Sequence, residues 1–251
     1  GHLACGDSGK GKMAEPDEIL KHIIFEIGEK KDLSGKKIVV TAGPTQEAID
    51  PVRFITNHSS GKMGYAIAER AACRGAEVVL VSGPANIEPP LFVKKIGVVS
   101  AKEMFEAVKS EYENADIVIK AAAVADYRPK NVSSEKIKKF DGELAIPLER
   151  TDDILKYLGE HKKRQFLCGF SMETQNMIEN SKAKLEKKNL DMVVANNLKV
   201  KGAGFGGDTN VVTLITRDSV KEFPVMTKNQ VADVILDEIL KSLNGFASRC
   251  V

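Results

Sequence analysis

Several absences narrow what this chain can be. Its four cysteines, Cys5, Cys73, Cys168 and Cys250, are widely spaced with no C-x-x-C, so neither a disulfide framework nor a zinc site is indicated. The four histidines, His2, His22, His58 and His161, form no metal-ligand spacing. No apolar run approaches the ~18 residues of a membrane span, and no signal peptide is expected at the start. Lys and Arg total 37 against 35 Asp and Glu, a net charge of +2, which argues against a nucleic-acid or membrane-surface partner. The common dinucleotide fingerprint G-x-G-x-x-G is missing from the strand-to-helix turns. What remains is ordinary: 251 residues, 43% hydrophobic and 29% charged. This suits a cytoplasmic globular protein with one large domain or a domain plus an appendage.

The first 35 residues stand apart. GHLACGDSGKGKMAEP is glycine-rich and aperiodic, and Asp17 to Glu29 then shows helical spacing through Leu20, Ile23, Ile24 and Ile27. From Lys37 onward, Val- and Ile-rich runs at 37–41, 77–82, 95–99, 116–123, 166–170 and 192–195 alternate with helical stretches. Those helices are expected near 62–74, 101–114, 152–160 and 174–189. Continuous rather than alternating apolar runs mark parallel strands buried on both faces. The β-α-β-α order predicts an α/β, Rossmann-like, doubly wound, mostly parallel sheet. Runs at 211–216 and 222–226 follow one another without a helix and predict a terminal antiparallel extension. Ser100 to Glu103 and Thr227 to Gln230 read as capping boxes opening helices.

Residues 41–64, TAGPTQEAIDPVRFITNHSSGKMG, are the most informative stretch. A strand, a long polar loop and a helix present backbone N–H groups and a positive dipole end to an anion. Connections of this kind usually take ~2–6 residues, so the length itself points to function. Gly61-Lys62 is followed by Met63, where a P-loop needs Ser or Thr. GDSGKGKM at 6–13 has the same defect at Met13 and no preceding strand. A nicotinamide-dependent reductase is disfavoured as well: the run 77–82 ends in Ser82, with no acid for the ribose hydroxyls. Two segments break the rhythm, 125–150 with a long basic loop carrying Lys130, Lys136, Lys138 and Lys139, and the glycine-rich 199–210.

GPTQEAIDPVRFITNHSSGKMG resembles the signature of the phosphopantothenoylcysteine synthetase family. Further matches are Ala121–Arg128 (A-A-V-A-D-Y-R within it), Lys136-Ile137-Lys138-Lys139 (K-x-K-K) and Gly169–Thr174 (G-F-x-x-E-T). Thr151-Asp152-Asp153-Ile154-Leu155 lies where the family has N-P-D-I-[VL], with Thr and Asp in place of Asn and Pro. Lys184 and Lys188, Asn196-Asn197 and Gly204–Asn210 complete the resemblance, which covers roughly residues 36–242. Ala4–Pro16 is similar to the C-terminal pattern of phosphopantothenoylcysteine decarboxylase, A-C-G-D-x-G-x-G-R-M-x-E-P, with Lys12 for Arg. The resemblance therefore divides the chain into a decarboxylase remnant and linker (1–35), a synthetase domain (36–245) and a tail (246–251). FMN, and any flavin chemistry of Cys5, would belong to the missing decarboxylase domain.

The resemblance implies ligation of 4′-phosphopantothenate to L-cysteine, driven by CTP and Mg²⁺ through an acyl-cytidylate, in a homodimer. It implies nucleotide binding by Gly43, Ser59, Ser60, Gly61, Ala121, Ala122, Asp126 (ribose), Lys136, Asp152, Asp153, Ile154, Leu155, Phe170, Lys184 and Lys188. Lys136 is implied as catalytic in activation. Asn57 fits the aminolysis step, since a neutral amide donor can hold a developing oxyanion. No carboxylate cluster identifies metal ligands. Against each of these stands a plain alternative: Lys136–Lys139 as a solvated face, Phe170 as a core aromatic, Lys184 and Lys188 as salt-bridge partners. A non-catalytic nucleotide-sensing module is the remaining different class.

Overall fold

A computed structural model describes residues 13–27, 30–139, 141–173, 176–197 and 206–247. Six parallel strands carry the fold: β1 (Lys37–Ala42), β4 (Glu77–Ser82), β5 (Val93–Gly97), β6 (Ile117–Lys120), β9 (Phe166–Glu173) and β10 (Met192–Asn197). Their spatial order is β5-β4-β1-β6-β9-β10, and β12 (Val212–Thr216) and β13 (Val220–Glu222) extend that edge antiparallel. Taken in chain order, the parallel strands lie 3-2-1-4-5-6, the doubly wound arrangement. The order reverses between β1 and β6, which pair from Ile38↔Ile117 to Thr41↔Lys120.

The strands are apolar on both faces because helices cover both. Ile38, Val40, Leu80, Ile117, Ile119 and Cys168 pack under α2 (Lys62–Cys73) and α6 (Lys228–Ala247). The alternate residues Val39, Val79, Val118, Leu167 and Val193 pack under α3 (Ala101–Tyr112), α4 (Ile154–Glu160) and α5 (Met177–Lys187). Each fully buried Val, Leu or Ile is favourable by ~1.5–3 kcal/mol. By contrast α1 (Pro16–Ile27) buries none of its residues, and Leu20, Ile23 and Ile27 of its apolar stripe stay exposed.

The expected strands and helices are present with shifted ends. The third run, expected at 95–99, is strand at 93–97, and the fourth, expected at 116–123, stops at Lys120. Backbone beyond Lys120 leaves the sheet: Ala122 N–H donates to Thr41 Oγ1 and Ala123 N–H to the Gly43 carbonyl. The last hairpin closes earlier than 222–226, at 220–222. Gln230 accepts from Thr227 N–H while Thr227 Oγ1 accepts from Gln230 N–H, a reciprocal box. At Ser100 the box is skewed, since the Glu103 carboxylate takes the N–H of Val99 instead.

Short strand pairs occur within the polar stretches that the structure describes. Gln46–Ala48 (β2) pairs with Phe54–Thr56 (β3), and Tyr127–Pro129 (β7) pairs with Leu148–Arg150 (β8), each antiparallel. Thr209–Asn210 (β11) pairs with Met226–Thr227 (β14). Three-residue strands among polar residues leave too little periodicity to read. Cys5, Thr174, Gly204 and Phe205 lie outside the described residues.

Candidate functional site

A cavity of about 460 Å³ opens at the carboxyl ends of β1 and β6, where the strand order reverses. This is the place an open α/β sheet offers a ligand. Its floor is Lys120–Val124, its near wall is Asn57–Gly64, and Phe170 and Lys184 stand across from them. The sequence thus converges: Asn57, Ser59, Ser60, Gly61, Ala121, Ala122, Asp126, Phe170 and Lys184 all line one space.

The near wall is a helix N-terminus in the sense anticipated. Gly61 caps α2 at φ 78° with no side-chain cap, so the first-turn N–H groups face the cavity and an anion there is favoured. Gly61 N–H approaches Ser59 Oγ at 3.3 Å. Gly43 supports this turn from behind at φ +73°, and a Cβ on Gly61 would come within 3.2 Å of its nitrogen. Asn57 Nδ2 donates to the carbonyls of Val124 (3.1 Å) and Ala123 (3.4 Å), tying the wall to the floor.

The far wall rests on α4 and α5. Asp153 caps α4, accepting from Lys156 N–H at 3.1 Å, and pairs with Lys188 at 2.8 Å. Burial works against the Asp153 carboxylate, but Lys188 and the helix N–H outweigh it and hold its pKa below the ordinary value. Ile154 and Leu155 are buried in the core under the sheet, so only their backbone can meet a ligand. Asp152 is exposed outside the cavity lining. Thr151, standing where the resemblance has Asn, donates through Oγ1 to Ala125 O at 2.6 Å and so braces the strand exit that carries Asp126. Lys184 Nζ donates to the Phe170 carbonyl at 2.6 Å. Lys188 is thus an ion-pair partner of Asp153, while Lys184 is tied to backbone at the cavity wall.

Lys136 is not brought to this cavity. It lines a separate hollow of about 570 Å³ with Arg53, Lys138 and Lys139. Its neighbour Ile137 is pinned to the β2–β3 hairpin: its N–H donates to Asp50 Oδ2 at 3.2 Å and its carbonyl accepts from Arg53 at 3.0 Å. Arg53, at 2.5 Å, holds the buried Asp50 carboxyl well below the usual range.

Sequence reasoning gave no role to several cavity residues, four of them polar and notable. Lys120 ends β6; Lys62 pairs with Asp208 at 2.6 Å; the buried Lys228 donates to the Gly207 and Thr209 carbonyls; Asn210 Nδ2 donates to Asn196 Oδ1 at 3.1 Å. The signal for Lys120 was legible: a lysine terminating a strand buried on both faces, I-V-I-K, has to meet something polar at the sheet edge. Elsewhere, a 490 Å³ hollow at the amino ends of β9 and β10 is also basic, but two of its cations are paired, Lys162 with Asp191 at 2.7 Å and Arg164 with Asp116 at 2.5 Å.

An open doubly wound sheet with an anion-ready crevice at its switch point defines the class, a Rossmann-like α/β binding domain. The chain belongs to the family described as DNA/pantothenate metabolism flavoprotein C-terminal domain, whose pattern matches residues 33–243. It is 53% identical over 243 residues to the coenzyme A biosynthesis bifunctional protein CoaBC of Bacillus subtilis, covering 95% of this chain and 60% of that protein. The chain thus spans less than two thirds of the relative's length. A crystal structure of the C-terminal domain of a CoaBC protein superposes with TM-score 0.75 at 51% identity, covering 86% of this chain and all of that one. A Cab2 mutant in complex with phosphopantothenate-cysteine shares the fold at TM-score 0.70 and 17% identity, covering 96% of this chain and 97% of its own.

Proposed function

We propose that this chain carries a phosphopantothenate–cysteine ligase of coenzyme A biosynthesis, activating 4′-phosphopantothenate with CTP. The carrying observation is the convergence of Asn57, Ser59–Gly61, Ala121–Ala122, Asp126, Phe170 and Lys184 on one switch-point cavity. The carboxylate of phosphopantothenate attacks the α-phosphate of CTP, forming an acyl-cytidylate and expelling pyrophosphate. The amine of L-cysteine then attacks the acyl carbon, forms the amide and expels CMP.

The chain's residues suit each step. The α2 N-terminus with Ser59, Ser60 and Gly61 holds phosphate oxygens, and Gly43 lets the turn lie close. Asp126 takes the ribose, and Ala121 and Ala122 offer backbone groups to the base beside Phe170. Lys136, with Lys184, neutralises charge as the phosphoryl bond breaks; since Lys136 lies outside the cavity, its loop must close onto the bound nucleotide. Lys188, paired with Asp153, and the Asp152–Leu155 backbone complete the far wall. Asn57 holds the acyl oxygen during aminolysis.

Among the described residues no three His, Cys, Asp or Glu side chains gather as a metal site, so no residue is assigned to Mg²⁺, which would enter with the nucleotide. So bound, it would supply charge neutralisation at the phosphates. FMN has no part in these steps and belongs with a decarboxylase domain, of which residues 1–35 would be the tail and linker. A homodimer is supported by exposed Val52, Phe54, Tyr127 and Leu148 on the two small hairpins. No helix among the described residues is long and apolar enough to cross a membrane, and we place the protein in the cytoplasm.

The test is release of CMP and pyrophosphate by the purified chain. Release only when phosphopantothenate, CTP and cysteine are all present supports the ligase. CTP binding without turnover would make the domain a nucleotide sensor instead.

A further inference from the structure

We propose that Lys120 is an additional nucleotide-binding residue, an unpartnered ammonium on the cavity floor whose protonation is coupled to binding the anionic phosphate chain. This rests on the ligase reading and adds a residue and a linkage that the family motifs do not contain.

The position follows from the sheet. Lys120 is the last residue of β6, paired with Thr41 and Gly169 in register. It lies two residues beyond Val118, which packs on the α4–α5 side, so strand alternation sends its side chain to that same side. There it lines the cavity, partly buried.

The surroundings make it a cation in want of an anion. Lys184 donates to the Phe170 carbonyl and Lys188 is paired with Asp153, whereas the Lys120 ammonium makes no hydrogen bond or ion pair among the described residues. The charged groups that face it are Lys184 and Lys188 on α5, Asp126 beyond β6 and Asp153 at the α4 cap. Three lysines against two aspartates leave one positive charge in excess. Across the cavity stand His58, Lys62 and Lys228, with Asp208 paired to Lys62. Burial, and then the fields of Lys184 and Lys188, lower the Lys120 pKa to about 8, against the raising effect of Asp126 and Asp153. An incoming polyanion adds the missing negative charge, favours the ammonium and draws a proton from solvent. At pH 8 the nucleotide's own phosphates are already ionised, since the second phosphate pKa is ~6, so uptake there is the protein's.

The experiment is calorimetric titration of the full chain with Mg-CTP at pH 8.0, in buffers of different ionisation enthalpy. Wild type is expected to take up close to half a proton per nucleotide, the deficit of a group with pKa about 8. Lys120→Met should lose that uptake and bind CTP about tenfold more weakly, while its affinity for cytidine stays unchanged. Lys120→Arg should keep the affinity but lose the uptake, because a guanidinium does not titrate there. Uptake persisting in the folded Lys120→Met protein would assign the proton to another group, such as Lys228, and overturn the proposal, as would equal weakening toward cytidine. Wild type that fails to bind CTP would overturn the ligase reading and this inference together, whereas tight binding unaffected by Lys120→Met overturns this inference alone.

Discussion

The side-chain amide of Asn57 donates to the backbone carbonyl of Val124 over 3.1 Å, joining the loop before α2 to the exit of β6 across the switch point. A second, longer contact reaches the Ala123 carbonyl. The residue we assign to the acyl oxygen therefore also clamps the two halves of the site, and its N–H groups must turn from Ala123 toward the substrate. A carboxylate at this position would repel both carbonyls and the developing oxyanion. Asn57→Asp is expected to release pyrophosphate in a single burst and accumulate the acyl-cytidylate, with aminolysis slowed by ~10²–10³-fold. Mass spectrometry of quenched reactions reads this out. A variant that makes no intermediate would place Asn57 in nucleotide binding or in the clamp alone.

Base choice should follow from the backbone of Ala121 and Ala122 beside Phe170. Polar groups set for one base stay unpaired when another enters, at ~1–3 kcal/mol each. CTP should outperform ATP in kcat/KM by about a hundredfold. Equal turnover with both nucleotides would sink the assignment as a CTP-selective, bacterial-type ligase.

Much of this architecture could be read from residue pattern. The runs led by Ile38-Val39-Val40 and Glu77–Ser82 announced strands buried on both faces, because both helical layers take alternate residues of the same strand. Motif residues far apart in sequence met in one cavity because parallel strands bring every carboxyl end to one edge. Legibility failed where local signals are weak or the geometry is tertiary. The three-residue strands of the β2–β3 hairpin sit among polar residues, and the distance of Lys136 from the cavity depends on Asp50 and Arg53 holding Ile137. Lys120 was passed over because it precedes the Ala121–Arg128 match by one residue, although a lysine ending a doubly buried strand was itself a signal.

Gly83 tests how tightly the loop after β1 is held. A Cβ there would lie 1.8 Å from the Pro44 carbonyl oxygen, a clash with backbone that cannot swing aside. Pro44 follows Gly43 beneath the Gly61 turn, so displacement would propagate to the cavity wall. Gly83→Ala is expected to cost ~1–3 kcal/mol or more in stability and to raise the KM for CTP. Urea melts and nucleotide titration check both effects, and a variant with wild-type stability would show that this crossing is loose.

Lys136 is separable from the fold because its exposed side chain lines only the hollow beside Arg53. Lys136→Gln should melt with the wild type, since exposed substitutions away from packed features stay within ~0.5 kcal/mol. It should nevertheless abolish pyrophosphate release. Normal release would make the basic loop a solvated face and leave Lys184 and Lys120 as the activating cations.

The Lys120 ammonium should also be a stability cost, with a defined pH window. In the unfolded chain a lysine titrates near 10.5, whereas in the fold Lys120 titrates near 8. Below about 8 both states carry the proton, and the folded state bears the full cost of burying a cation and, after that, of crowding it against Lys184 and Lys188. Between about 8 and 10.5 the folded state sheds the proton first, so this contribution to stability rises with pH across that window. A tenfold change in proton affinity corresponds to ~1.4 kcal/mol, discounted here because the amine reaches an open cavity. Lys120→Met should therefore be more stable than wild type by about 1 kcal/mol at pH 7, roughly 2–4 °C in Tm for a domain of this size. The advantage should fade by pH 10. Comparing the two proteins cancels the titrating groups that do not interact with Lys120. An advantage that is constant with pH would mean that methionine simply packs better, and no advantage would mean that the ammonium is already well solvated. A protein that gains stability while losing CTP affinity would show that the charge is kept for the ligand and not for the fold.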